Sequence, residues 1–277
     1  MNNLLSANFA RLWKDKVFWL CLAALLACSA GSMLSGCRQA AVNAGSGFAY
    51  YLDHFYFNLA PLLGLFCAVF ASLFLGTEYS DGTVRNKLVV GHSRAAVYLA
   101  DLLVCFAAAL LFMAAWLAGG LVGIPALGGW KLGAAALALY LLLAILFLAA
   151  FTAIFTWVGT AFTSKAAGAV VSLLLFLGLL VCASMLYNRL SEPEMFSGVV
   201  ITAEGMAMGE PTPNPDYISG SLRRAYEFLV DLLPSGQSIL MANLELAHPV
   251  REALCSVFVT AAAVLGGLWA FRKKDLK

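Results

Sequence analysis

Ionisable side chains are scarce in this sequence, and one short stretch gathers both signs of charge between two apolar runs. Residues 76–94 read GTEYSDGTVRNKLVVGHSR and carry Glu78, Arg85, Lys87 and Arg94. No nucleophile stands beside a base there, so the chemistry on offer is recognition rather than bond cleavage. A guanidinium such as that of Arg85 grips a carboxylate or carbonyl through several coplanar donors. Glu78, where the preceding apolar run ends, is placed to hold a joint rigid by bonding within the chain or to its amino-terminal segment. Elsewhere the sequence has no HExxH, no GxSxG and no G-x-x-x-x-G-K-[ST], which removes the common hydrolytic and phosphate-wrapping motifs. Six of the seven cysteines fall inside apolar runs, with Cys37 the exception, and none has metal-ligand spacing. His54, His92 and His248 stand far apart, so no metal site is expected.

The elements that position these residues follow from composition. Hydrophobic residues make up 62% of the 277 and charged residues 12%. Soluble domains carry about half and about a quarter. A water-soluble chain of this length cannot hide so much apolar side chain, and the sequence predicts a polytopic membrane protein. Six runs are long enough to span: 17–34, 56–76, 95–118, 133–160, 167–187 and 252–271, against roughly 20 residues per crossing helix. Their unbroken apolar character, without in/out alternation, predicts helices rather than a barrel. The expected fold is therefore all-α, a single six-span domain over residues 1–277. After span three, Gly119-Gly120 through Gly129 mark a tight turn or a short re-entrant dip.

Lysine and arginine set the orientation. Arg11, Lys14 and Lys16 precede span one, and Arg85, Lys87 and Arg94 lie between spans two and three. Lys165 lies between four and five, and Arg272, Lys273, Lys274 and Lys277 follow six. The opposite side has Arg38, Lys131, Arg189, Arg223, Arg224 and Arg251, mostly in one long segment where charge carries little weight. Both termini and the charged island are expected on the cytoplasmic side of a cell membrane. Residues 1–16, with Leu5, Phe9, Leu12, Trp13 and Val17 at helical spacing, predict an amphipathic helix on that surface. Nothing in the charge distribution suggests nucleic acid.

Within the island, Ser80-Asp81 offers a helix cap and Gly82 to Val90 has helical composition. Gly91 suits a stop, and Ser93 a cap for span three. The reading is a short helix across the inner face, coupling segment 77–94, jointed to two spans. Asp101, the one acid well inside a run, reads as a helix–helix hydrogen-bonding group. A membrane domain without internal carboxylate relays is expected to take its energy from elsewhere.

The stretch EYSDGTVRNKLVVGHSR, running into AAVYLADLL, resembles the segment after the second span in type-2 ATP-binding-cassette (ABC) exporter permeases. The resemblance covers the whole chain in architecture and about twenty residues in motif. It implies that Glu78, Gly82, Thr83, Arg85, Asn86, Gly91, Ser93 and Arg94 belong to a coupling helix that docks into a groove of an ATPase subunit, with Lys87 beside them. It implies a permease dimer, from two copies or one copy plus a related permease, on two ATPase subunits that hold ATP and Mg. No cofactor is expected in this chain, nor catalysis of its own, and the bilayer is its other partner. A mechanical or sensing role for the same machinery is the alternative, and an ion-coupled transporter the third; peptide, lipid, drug and ion all stay open as substrates.

The segment 188–250 is the only sizeable polar region. Pro193, Pro211, Pro213 and Pro215 predict irregular loop in its first half. Farther on, Leu222, Tyr226, Leu229 and Leu233 share one helical face. That face is expected to lie buried against the tops of the spans as an outer gate, on one or two short helices that are partly re-entrant.

Overall fold

Inside a bilayer, continuous apolar sequence has no way to satisfy its backbone except hydrogen-bonded helix. The computed structural model shows that architecture; it describes residues 2–274 apart from 46, 48, 197, 198, 203, 204 and 209. Helix α1 (Asn2–Lys14) bends at Asp15, whose carboxylate caps α2 (Lys16–Val42) by accepting from the Phe18 amide at 2.9 Å. A short α3 (Leu52–Phe57) leads into α4 (Ala60–Ser80), and α5 (Thr83–Val89) is the helix of the charged island. Then come α6 (Arg94–Gly120), a 3-10 turn (Leu121–Gly123), α7 (Ala134–Ala161), α8 (Lys165–Leu190), α9 (Gly220–Leu232), α10 (Pro234–Ala242) and α11 (Pro249–Lys273). Among the described residues, six stretches are long and apolar enough to cross a membrane: α2, α3 with α4, α6 with its 3-10 turn, α7, α8 and α11. The chain is an all-α, multi-pass membrane protein.

Helix α4 is the most buried span and α8 the least. Around α4, Phe70 meets Phe18 of α2 and Phe112 of α6 edge-on and stacks on Phe74, while Phe151 of α7 stacks on Phe155 and meets Phe176 of α8. At the end opposite α5, called the far end below, Ser29 donates to the Trp116 carbonyl at 2.6 Å and the Trp116 indole to the Tyr56 carbonyl at 3.0 Å. The Asp53 carboxylate accepts from the Lys131 amide at 2.6 Å, fixing the turn that follows α6.

Two expectations change. Span one does not stop at residue 34 but runs to Val42 and takes Cys37 into the helix, where Gly36 packs against the Phe55 ring. Hydropathy marks where a helix leaves hydrocarbon, not where it ends, and SGCRQAAV is helix-compatible beyond that point. The proline-rich stretch is not wholly irregular either. β1 (Met195–Phe196) pairs antiparallel with β4 (Thr212–Pro213), and β2 (Val199–Thr202) with β3 (Gly205–Met208). Prolines exclude helix there, but the run Val199-Val200-Ile201-Thr202 favours extended backbone.

Candidate functional site

The joint between α4 and α6 is built by its turns. Asp81 ends α4, and Gly82, at φ 68°, takes the left-handed conformation that a Cβ disfavours. The expected Ser80-Asp81 cap does not form. Ser80 bonds to the Thr77 carbonyl and to Asp81, and Thr83 donates to the Glu78 carbonyl at 3.1 Å instead. At the other end Gly91, at φ 97°, closes α5: its amide reaches the Leu88 carbonyl and that of His92 the Lys87 carbonyl, a Schellman stop. Ser93 caps α6 by accepting from the Ala96 amide at 3.2 Å.

Behind α5 lies a buried network of charge. Lys87 turns inward, its ammonium 2.5 Å from Glu78 Oε1, 2.9 Å from Asn8 Oδ1 and 3.5 Å from Asp101 Oδ1. Asn8 Nδ2 donates to Asp101 at 2.7 Å, and Arg11 pairs with Glu78 while its guanidinium lies 3.7 Å over the Phe74 ring. Two cations thus face two carboxylates, and Asn8 bridges them. Glu78 is 2% exposed and Asp101 fully buried, so neither finds solvent to replace a lost partner. Burial pushes the Lys87 ammonium below the ordinary lysine range, opposed by the charge of Asp101; burial also lowers Arg11. The network ties four elements, α1, α4, α5 and α6, into one unit.

The expected residues divide accordingly. Arg85 and Asn86 face outward on α5, together with Val89 and Val90, which are 80% and 77% exposed. Gly82, Thr83, Gly91 and Ser93 shape the two ends. Glu78 points into the joint. Lys87 and Arg94 do not lie on the outer face. Arg94 Nη1 donates to the carbonyls of Phe271, Arg272 and Lys274 at 3.1, 3.1 and 2.5 Å, closing the end of α11. Positive charge at carbonyls left unpaired by a helix end is its favoured place. Lys274 adds a second tie, to the Thr160 carbonyl at 2.7 Å and over the Tyr79 ring.

Sequence reasoning missed Asn8 and Arg11. A stripe was visible at Leu4, Asn8 and Leu12, four residues apart, and this is the buried edge of α1, while Trp13 is 49% exposed. A polar residue in the middle of such a stripe was the available signal. Asp101 bonds to Asn8 across a helix pair and to Lys87, as a helix–helix hydrogen-bonding group does.

At the far end, α9 and α10 form a re-entrant hairpin. Arg223 of α9 meets the Leu190 carbonyl at the end of α8, and Ser235 of α10 meets that of Leu179, eleven residues back. The chain descends roughly 16 Å alongside α8 at 1.5 Å per residue. By Glu245 it has returned, accepting from the Tyr187 hydroxyl at 3.1 Å. The elbow is tight: a Cβ on Gly236 would stand 2.1 Å from the Val230 carbonyl oxygen. Gln237, buried, donates to the Asp231 and Glu252 carbonyls at 2.6 and 3.0 Å and accepts from Ser256. Asp231 pairs with Arg251, and burial still lifts its pKa above the usual carboxylate value. The face expected to lie buried as an outer gate is largely open in this chain. Leu222 and Leu229 are 52% and 41% exposed, and Tyr226 and Leu233 half-buried. The polar edge of α9, with Arg223, Glu227 and Asp231, is the one turned towards α11, because its charges find Arg251 and His248 there.

Six crossing helices, a surface helix and a jointed helix between spans two and three define a multi-pass membrane permease. Residues 4–187, about two thirds of the chain, match a family described as ABC-2 family transporter protein, and the chain belongs to that family. The matched region takes in α1 to α7, the joint and nearly all of α8, and leaves out α9 to α11. It is thus a membrane component of an ABC transporter. None of the curated proteins compared with it matches.

Proposed function

We propose that this permease is half of the membrane domain of an ATP-driven exporter. Two copies, or one copy with a related permease, form the conduit and sit on two ABC ATPase subunits, which hold the ATP and Mg. The joint faces the cytoplasm, with both ends of the chain, at a plasma or inner membrane; the far end faces out. The observation that carries this is the two-sidedness of α5. Its inner edge is bolted to α1, α4 and α6 through Lys87, while its outer edge offers Arg85, Asn86, Val89 and Val90 to a partner. A groove on the ATPase that takes those side chains would move spans two and three together when the ATPase pair closes. Family membership supports association with an ATPase.

The test is copurification with an ABC ATPase subunit coexpressed with it, together with ATP-dependent transport. Arg85→Ala should weaken ATPase binding or stimulation. Glu78→Ala should leave the complex assembled but uncouple hydrolysis from transport. Cysteine at Val89 should crosslink to a cysteine in the partner's groove, whereas one at Lys87 should not. If both substitutions leave copurification and transport unchanged, α5 is not the coupling element.

A further inference from the structure

Two chambers flank the α9–α10 elbow, and the same pair of spans, α8 and α11, walls both. On the α5 side is an apolar cavity of about 680 Å³, bounded by Trp157 of α7, Leu175 of α8, and Phe258 and Ala262 of α11, and roofed by Leu233 and Pro234. Among the described residues no charged side chain lines it. On the far side is a cup of about 310 Å³ whose ionisable groups are Arg223, Glu227, Asp231, Glu245, His248 and Arg251. Only the elbow separates them: Val230 and Asp231 line the cup, and the next three residues roof the cavity.

The cup has a sign. Arg223 is engaged by Glu227 at 3.2 Å and Arg251 by Asp231. Glu245 has no cation against it among the described residues; it accepts only from the Tyr187 hydroxyl. With His248 counted as neutral and two guanidiniums spent on two carboxylates, the charge left over is negative. It stands beside an aromatic ring and the apolar Leu190 and Ala247. Carboxylate, ring and apolar wall together suit an organic ammonium with a hydrophobic body.

We propose that the α8–α11 cleft binds a cationic amphiphile, with its hydrocarbon part in the apolar cavity and its cationic group received by the cup when the elbow yields. The direction from cavity to cup rests on the export reading above; occupancy of the cleft does not. The occupant of the cavity comes from the bilayer, since its walls are spanning helices, and the cup selects by charge.

The experiment needs no ATPase, so its failure would leave the coupling reading standing. The purified permease in phosphatidylcholine nanodiscs is labelled with a diazirine-bearing dodecyltrimethylammonium, and the adducts are placed by peptide mass spectrometry. The matched dodecyl sulfonate is the control. Leu174 and Leu265, 63% and 67% exposed on α8 and α11, report random labelling from the lipid. Saturable labelling at Leu175, Phe258 and Ala262 well above those two positions, and stronger for the cation, is the expected result. Ala262→Trp should lower cavity labelling about tenfold, the change that ~1.4 kcal/mol of lost binding produces. Glu245→Gln, on an exposed side chain, should erase the preference for the cation, and it decides the matter by itself if Ala262→Trp does not fold. Labelling no higher than at Leu174 and Leu265, equal labelling by the sulfonate, or a cavity closed by a second copy (shown by a disulfide between copies at Leu175→Cys) would overturn the proposal.

Discussion

Replacing Lys87 with methionine tests the buried network directly. Methionine keeps much of the apolar stem, so the change removes charge rather than opening a cavity. It leaves Arg11 alone against Glu78 and Asp101, two carboxylates with almost no exposure. Removing one partner of a buried ion pair costs about 3–5 kcal/mol. The Lys87 side chain is 15% exposed and that of Arg11 29%, so solvent relieves part of this, and the lower end of that range, about 3 kcal/mol, is appropriate. Little else holds α5: Val84 and Leu88 pack beneath it, and Thr83 bonds to the Glu78 carbonyl. The loss should therefore concentrate on α5. At 1.36 kcal/mol per decade, about 3 kcal/mol raises local opening roughly 100-fold. Hydrogen exchange at the amides of Val90 to His92, which bond back onto α5, reads this change. Adding Asp101→Asn removes the surplus negative charge and should restore most of the protection, a coupling of about 1.5–3 kcal/mol between neighbouring sites. Unchanged exchange in Lys87→Met, or a double variant equal to the sum of the singles, refutes the account.

Arg94→Ala should fray the last turn of α11, costing about 1–2 kcal/mol for charge-assisted bonds to carbonyls, while ATPase copurification stays normal. Loss of ATPase binding with α11 intact would return Arg94 to the partner interface. Gly236→Ala should lower the Tm by the equivalent of about 2–3 kcal/mol, because the new methyl meets backbone rather than a movable side chain. A Tm equal to that of the wild type would mean that the elbow is looser than its geometry.

The fold was legible because each crossing helix must be apolar along its whole length, and that property is local. The joint was legible in outline for the same reason: Gly91 and Ser93 announce a stop and a start within four residues. What the sequence withheld was direction. On a two-turn helix, Arg85 and Lys87 sit two residues apart, on different faces, and nothing local tells which face meets protein. That was decided by Asn8 and Asp101, distant in sequence from Lys87. The far end failed differently. The leucines of α9 formed a clear stripe, but inside a bilayer an apolar stripe need not turn inward, and the charges on the other edge claimed the packed side.

The ties made by Arg94 have a consequence for the order in which the molecule is made. The joint uses side chains from α1, but among the described residues Arg94 is satisfied by the end of α11, the last of the six spans. Leu4 and Phe271 share one small core beneath α5 with Val84 and Tyr98. Contacts so far apart in sequence form late, after the intervening helices are in place. A nascent chain that lacks α11 therefore has α5 but no finished seat for it. The seat of α5 is completed only once the last of the six spans has arrived.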